Sequence, residues 1–98
     1  MNNWCITKVF DPADERFIGR IGPRNATLTS VEAIRNHPDA KKFRLVCDDY
    51  PEEGNIMAEG WFVGEDEFAP LDNFGEGNWG CTMIFYWTPG KGGGWQQL

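Results

Sequence analysis

One histidine, three cysteines and fifteen carboxylates are the side chains of this 98-residue chain best suited to proton transfer, nucleophilic attack or metal ligation. A cysteine nucleophile needs a base beside it and a group that stabilises developing negative charge. His37, next to Pro38, is the sole imidazole and Cys81 the best placed thiol, yet nothing in their spacing brings them together. The carboxylates are so numerous that some pair must approach the separations glycosidases use, and abundance of that kind is no signal. With no constellation of nucleophile, base and orienting group, the sequence predicts no catalysis.

Metal and phosphate chemistry fare no better. There is no C-x-x-C, and a structural zinc site would require Cys5, Cys47, Cys81 and His37 to converge from across the chain. The acidic stretch 48–55 lacks oxygen ligands at alternating positions, with Tyr50 where an acid should stand. Glu65, Asp66, Glu67 and Asp72 could gather a divalent ion but read first as a solvated acidic loop, so neither metal nor cofactor is expected. Residues 75–80, GEGNWG, match the dinucleotide fingerprint letter for letter. That fingerprint works only after a strand and before a helix; here a strand follows, and Glu76 would face the phosphates. Gly90–Lys91 lacks the Ser/Thr and the helix of a phosphate loop. The cysteines are odd in number and widely spaced, which implies no disulfide framework and suggests buried thiols.

The strongest signal is where the charges lie. Residues 1–44 hold eight Lys or Arg against five acids, a balance of +3, whereas residues 45–90 hold ten acids and no Lys or Arg. The sum with Lys91 is −6. A field of one sign repels nucleic acid and attracts basic surfaces. Phe68, Phe74, Trp79 and Trp95 are interleaved with Glu and Gly. They either pin a loop to the sheet or anchor an interface, and aromatics among acids argue against direct base stacking.

The elements that must position these groups follow from alternation. Residues 42–63, KKFRLVCDDYPEEGNIMAEGWFV with its flank, read as a hairpin: Phe43, Leu45 and Cys47 alternate with Arg44, Val46 and Asp48, and Ile56, Ala58, Gly60 and Phe62 alternate with Met57, Glu59, Trp61 and Val63. Trp4 to Phe10 predicts a first strand, Asp11–Arg16 a polar turn, and Phe17–Ile21 a short second strand. Thr29 and Glu32 fit a capping box for a helix from Ser30 to about His37, ended by Pro38. Residues 64–80 show no periodicity and read as a long loop. Residues 81–88, CTMIFYWT, are the most hydrophobic strand and are expected to lie centrally; Trp95–Leu98 is either a last short strand or a tail. The prediction is a single α+β domain over 1–98, with a small antiparallel sheet of four to five strands and one short helix on one face. No apolar run approaches the roughly 20 residues needed to cross a bilayer, and the N-terminus lacks signal-peptide character. Both point to the cytosol, or a host's cytosol.

Three functions are compatible with these features. The first is a non-catalytic acidic module that docks a basic protein surface, such as that of a nucleic-acid-binding protein, by phosphate mimicry. In size and charge the chain is similar to small inhibitors of phages and mobile elements, anti-restriction and anti-CRISPR proteins among them. The residues expected to carry such docking are Asp48, Asp49, Glu52, Glu53, Glu65, Asp66, Glu67, Phe74, Glu76 and Trp79, with no direct contact to nucleic acid or membrane. The second is a small-ligand, carbohydrate-like module in which Trp79 and Trp95 stack on the ligand and Asp72, Asn73 and Asn78 bond its hydroxyls. The third is a homodimer formed through a sheet edge.

Overall fold

The computed structural model describes residues 2–47, 56–90 and 92–98. In order, the elements are β1 (Asn3–Val9), a 3-10 turn (Pro12–Phe17), β2 (Ile21–Gly22), α1 (Val31–Arg35), β3 (Lys41–Cys47), β4 (Ile56–Val63), a π-helical turn (Leu71–Gly75), α2 (Glu76–Trp79), β5 (Cys81–Thr88) and β6 (Gly94–Gln97). The strands form one sheet in the order β2-β1-β4-β3-β5-β6, with every neighbouring pair antiparallel. The α+β class holds, but the sheet has six strands rather than four to five, and helical turns are several rather than one. The additional strand is β6, whose start the glycines at 92–94 obscure in the sequence. The stretch expected to be a polar turn is the 3-10 helix, with Asp11 accepting from the Ala13 amide at its start. The second strand is accordingly later and shorter than the alternation at 17–21 suggests.

The 42–63 hairpin is the centre of the sheet, with β3 and β4 flanked on both sides. Strand β5 lies next to β3 and one place from the edge. Since β4 and β5 both run antiparallel to β3, they are parallel to each other. A parallel pair needs a crossover of a dozen or more residues that returns the chain along the sheet. Residues 64–80 are that crossover, which is why so long a segment exists. It is helical where the sequence suggests a loop: hydrogen bonds from the Asp72 amide to the Phe68 carbonyl and from Gly80 to Glu76 build its turns. Gly80, at φ 66, ends α2 in the left-handed region that favours glycine, and the chain enters β5.

The crossover buries one face of the sheet. Trp4, Ile6, Phe43, Leu45, Ala58, Phe62, Ile84 and Tyr86 from the strands meet Phe17, Ala69, Leu71 and Phe74 in a single core. Phe43 and Phe62 are almost entirely enclosed, and each such side chain contributes about 1.5–3 kcal/mol by burial. Gly60 lies on β4 between Ile6 of β1 and Phe43 of β3; a Cβ there would collide with the Cys5 carbonyl and the Phe43 ring. A register shift in the pairing of β3 with β4 places Ile56 on the opposite face, with Val46 and Met83, and away from Ala58, Gly60 and Phe62. Helix α1 lies on that opposite face, against β1 and β4. Ser30 caps it by accepting from the Ala33 amide, one residue later than the Thr29–Glu32 pattern suggests. Among the described residues, no helix is long and apolar enough to cross a membrane.

Candidate functional site

Strand alternation dictates that Lys42 and Arg44 point away from the core that Phe43 and Leu45 enter. On β4 the same rule sends Glu59 and Trp61 to the outer face, and on β5 it sends Phe85 and Trp87. Trp87 is the cross-strand partner of Trp95. Helix α1 covers only the corner over β1 and β4, where Cys5 and Ile34 lose all solvent contact. Over the remainder, no helix or strand among the described residues lies on this face.

The exposed part is organised around Glu59, only 5% exposed. Its Oε2 accepts from Arg44 Nε at 2.8 Å and Nη2 at 2.6 Å, and its Oε1 lies 3.8 Å from Lys42 Nζ. The Arg44 guanidinium is also 4.0 Å from the centre of the Trp95 ring. Held by a carboxylate at its edge and an indole at its face, this planar cation is fixed before any ligand arrives. Trp95 meets Trp87 edge to face, with ring centres 5.5 Å apart, and Trp87 is 48% exposed. Lys8, opposite Glu59 in the pairing of β1 with β4, extends over the Phe10 ring at 4.6 Å. These side chains line an open groove of about 560 Å³, continuous with a small apolar recess at Val46, Ile56 and Phe85. Three cations face one carboxylate here. The arrangement contains neither nucleophile nor imidazole; it can bind a ligand that combines negative charge with a flat apolar part.

The acidic residues expected to form the site are elsewhere. Asp48, Asp49, Glu52 and Glu53 lie outside the described residues. Glu65 and Asp66 are exposed at the start of the crossover, where both backbone amides donate to Asn2 Oδ1 at 3.2 and 3.0 Å. Glu67 is half-buried, pairs with Lys41 at 3.0 Å, and accepts from the Tyr86 hydroxyl through its carbonyl at 2.7 Å. Glu76 is exposed in the first turn of α2. Phe74 is buried, its ring within 5.2–5.3 Å of Trp4, Phe17 and Trp79. Trp79 is half-buried against the same cluster, and its Nε1 donates to Asp14 Oδ2 at 2.9 Å. Trp79 thus packs on the core side of the sheet and Trp95 on the open side, so no single small ligand stacks on both.

Cys47 and Cys81 approach with sulfurs 3.3 Å apart, and Cys47 Sγ also donates to the Trp79 carbonyl at 3.1 Å. Burial, reinforced by Cys47, pushes the Cys81 thiol well above its ordinary range, so it is a poor nucleophile. His37 Nδ1 accepts from the Asp39 amide at 3.0 Å in the turn after α1. Among the described residues no three His, Cys, Asp or Glu side chains cluster to hold a metal.

The residues that sequence reasoning did not single out are Lys8, Phe10, Lys42, Arg44 and Trp87. Alternation puts Lys42 and Arg44 on a common face, but nothing in the sequence says that β5 and β6 lie beside β3. No protein-family model, curated protein or solved structure matches the chain.

Proposed function

We propose that this protein is a non-catalytic binding module whose open sheet face engages a ligand carrying negative charge and a flat apolar group. The observation that supports this is the Trp87–Trp95 pair, Trp87 exposed and Trp95 half-buried, beside an Arg44 already oriented by Glu59. Tryptophan and arginine dominate binding energetics because they combine large contact area with directional polar groups at low entropic cost. A monomeric surface without a binding role seldom gathers two tryptophans and an oriented arginine around a groove. The test is partner capture by the intact protein compared with the Lys8→Gln/Trp87→Ala double variant. Loss of capture by a variant that is still folded is expected; equal capture by both proteins would sink the proposal.

A second reading rests on the crossover. Asp66, Asp72 and Glu76 are exposed there, and the segment 64–80 contains no Lys or Arg. On this reading the acids, together with those of the 48–55 stretch, dock a basic surface on a nucleic-acid-binding protein as a phosphate mimic, in the manner of a mobile-element inhibitor. Such docking is steered by charge and screened by salt. Partner capture that survives the Lys8/Trp87 substitutions but is lost in Asp66→Asn/Asp72→Asn/Glu76→Gln would favour this surface over the open face.

A further inference from the structure

We propose that the ligand of the open face is a single strand of nucleic acid laid across the sheet. This inference rests on the open-face reading above and gives that face a ligand class. In sequence, the aromatics have acidic and glycine neighbours, which disfavours base stacking. On the folded sheet the neighbours differ: Trp95 stands against Arg44, Phe10 lies under Lys8, and Lys42 lies between them near Glu59. Cations set beside aromatic rings, with Trp87 the most exposed of them, are what a single strand requires, since every base has a stackable face and every linkage a charge.

The dimensions agree. The face extends from Lys8 on β1 to Trp95 on β6, a span of five adjacent strands. At about 4.8 Å between strands the span is about 19 Å, short enough to hold only about four nucleotides, the lower end of the range for single-strand platforms. A base stacks on the exposed Trp87, which Trp95 backs edge to face, at one end, and phosphates meet Lys42 and Lys8 toward the other. Arg44 contributes mainly by holding Trp95, because Glu59 already neutralises most of its charge.

Other occupants fit less well. A duplex hides its base faces and leaves the indoles without partners. A free mononucleotide needs enclosure over most of its surface, whereas this groove has a floor and little roof. An acidic peptide matches the cations, but extended peptides add to sheet edges through backbone hydrogen bonds rather than lie across a face. The net charge of −6 opposes any longer contact and confines the interaction to this patch. With two or three phosphates engaged, the logarithm of the affinity should fall against the logarithm of salt with a slope of about −1.4 to −2.1.

The experiment is fluorescence anisotropy of end-labelled eight-nucleotide oligothymidylate and oligouridylate with the full chain. A duplex of equal length and a labelled polyglutamate peptide serve as comparison probes. Single strands should bind and the duplex should not. Trp87→Ala should weaken single-strand binding by about 5- to 150-fold, the loss of one stacked base, with the variant still folded. Lys8→Gln/Lys42→Gln should reduce the salt slope by about 1.4, while Asp72→Asn/Glu76→Gln on the other side of the sheet should leave binding intact. Absence of single-strand binding, equal affinity for the duplex, or indifference to Trp87→Ala overturns the inference. If polyglutamate binds in a manner that depends on Trp87 while oligonucleotides do not, the nucleic-acid assignment falls and the open-face reading stands. If Trp87→Ala affects no probe, both fall.

Discussion

The two faces of this sheet are built from the same strands and differ in almost everything else. On β3, Phe43 and Leu45 point into the core while Lys42 and Arg44 point out; on β5, Ile84 and Tyr86 point in and Phe85 and Trp87 point out. The inner face is closed by a crossover that the parallel relation of β4 to β5 makes obligatory, and its side chains contribute to stability. Among the described residues, the outer face is closed only at the corner where α1 lies, and the rest combines cations with indoles. The contrast suggests a division of labour: one face holds the fold, and the other is free to bind.

The comparison breaks most visibly in the core. Phe62→Ala removes an enclosed ring and should cost about 3–5 kcal/mol, a large share of the roughly 5–15 kcal/mol that stabilises a domain of this size, whereas Trp87→Ala, which gives up one edge-to-face contact, should cost about 1 kcal/mol or less. Urea denaturation of the two variants measures the difference, and comparable losses would show that the open face is structural after all. Next in size is Glu59→Gln, which leaves Arg44 and Lys42 facing each other without their shared carboxylate. A loss of about 1–3 kcal/mol is expected, accompanied by stronger anion binding at the groove. Stability lost with no gain in anion affinity would mean that the carboxylate only holds the strands together.

Tyr86 sharpens the contrast through pH. Burial first, and then the charges of Glu67 and Asp66, hold its hydroxyl above the ordinary tyrosine range. The native state therefore keeps a proton that the unfolded chain releases. The associated stability is complete below pH about 10 and declines as pH rises beyond it. Urea midpoints at pH 9 and pH 11 should differ in wild type and differ less in Tyr86→Phe, the remainder belonging to the raised Cys81 thiol; the variant itself loses about 1 kcal/mol with the bond to the Glu67 carbonyl. A pH dependence unchanged in the variant would assign the alkaline loss to other groups. A small effect is also expected at Trp4, whose buried Nε1 has no hydrogen-bond partner among the described residues. Trp4→Phe removes that unsatisfied donor and should cost less than about 1.5 kcal/mol, much less than Phe62→Ala on the same face; a larger loss, read from the same denaturation curves, would mean that the indole's own packing matters more than its orphaned donor.

Local pattern decided a good deal. The alternation of Phe43 and Leu45 with Lys42 and Arg44 made β3 legible, as did that of Ala58 and Phe62 with Glu59 and Trp61 for β4, and the acidic turn signal between them implied their pairing. The short helix before Pro38 was legible to within a residue of its cap. Less legible were β6, where glycine weakens strand pattern, and the helical character of 64–80, where no apolar periodicity survives because the turns are too short to show one. Phe74 and Trp79 share a sequence context of Glu and Gly with exposed anchors, but the folded chain turns them onto Phe17 and Trp4.

By itself, then, the sequence determined the class of fold, the central hairpin, the segregation of charge along the chain and the absence of a recognisable catalytic or metal motif, since each depends on neighbours within a few residues. Only the tertiary structure decided which side chains share a face across strands. Lys8, Arg44, Glu59, Trp87 and Trp95 come from five different strands, and their meeting depends on strand order and register. Those are set by the global packing of the core, by the register shifts in β3 and β4, and by the return path of the crossover, none of which is encoded in local spacing.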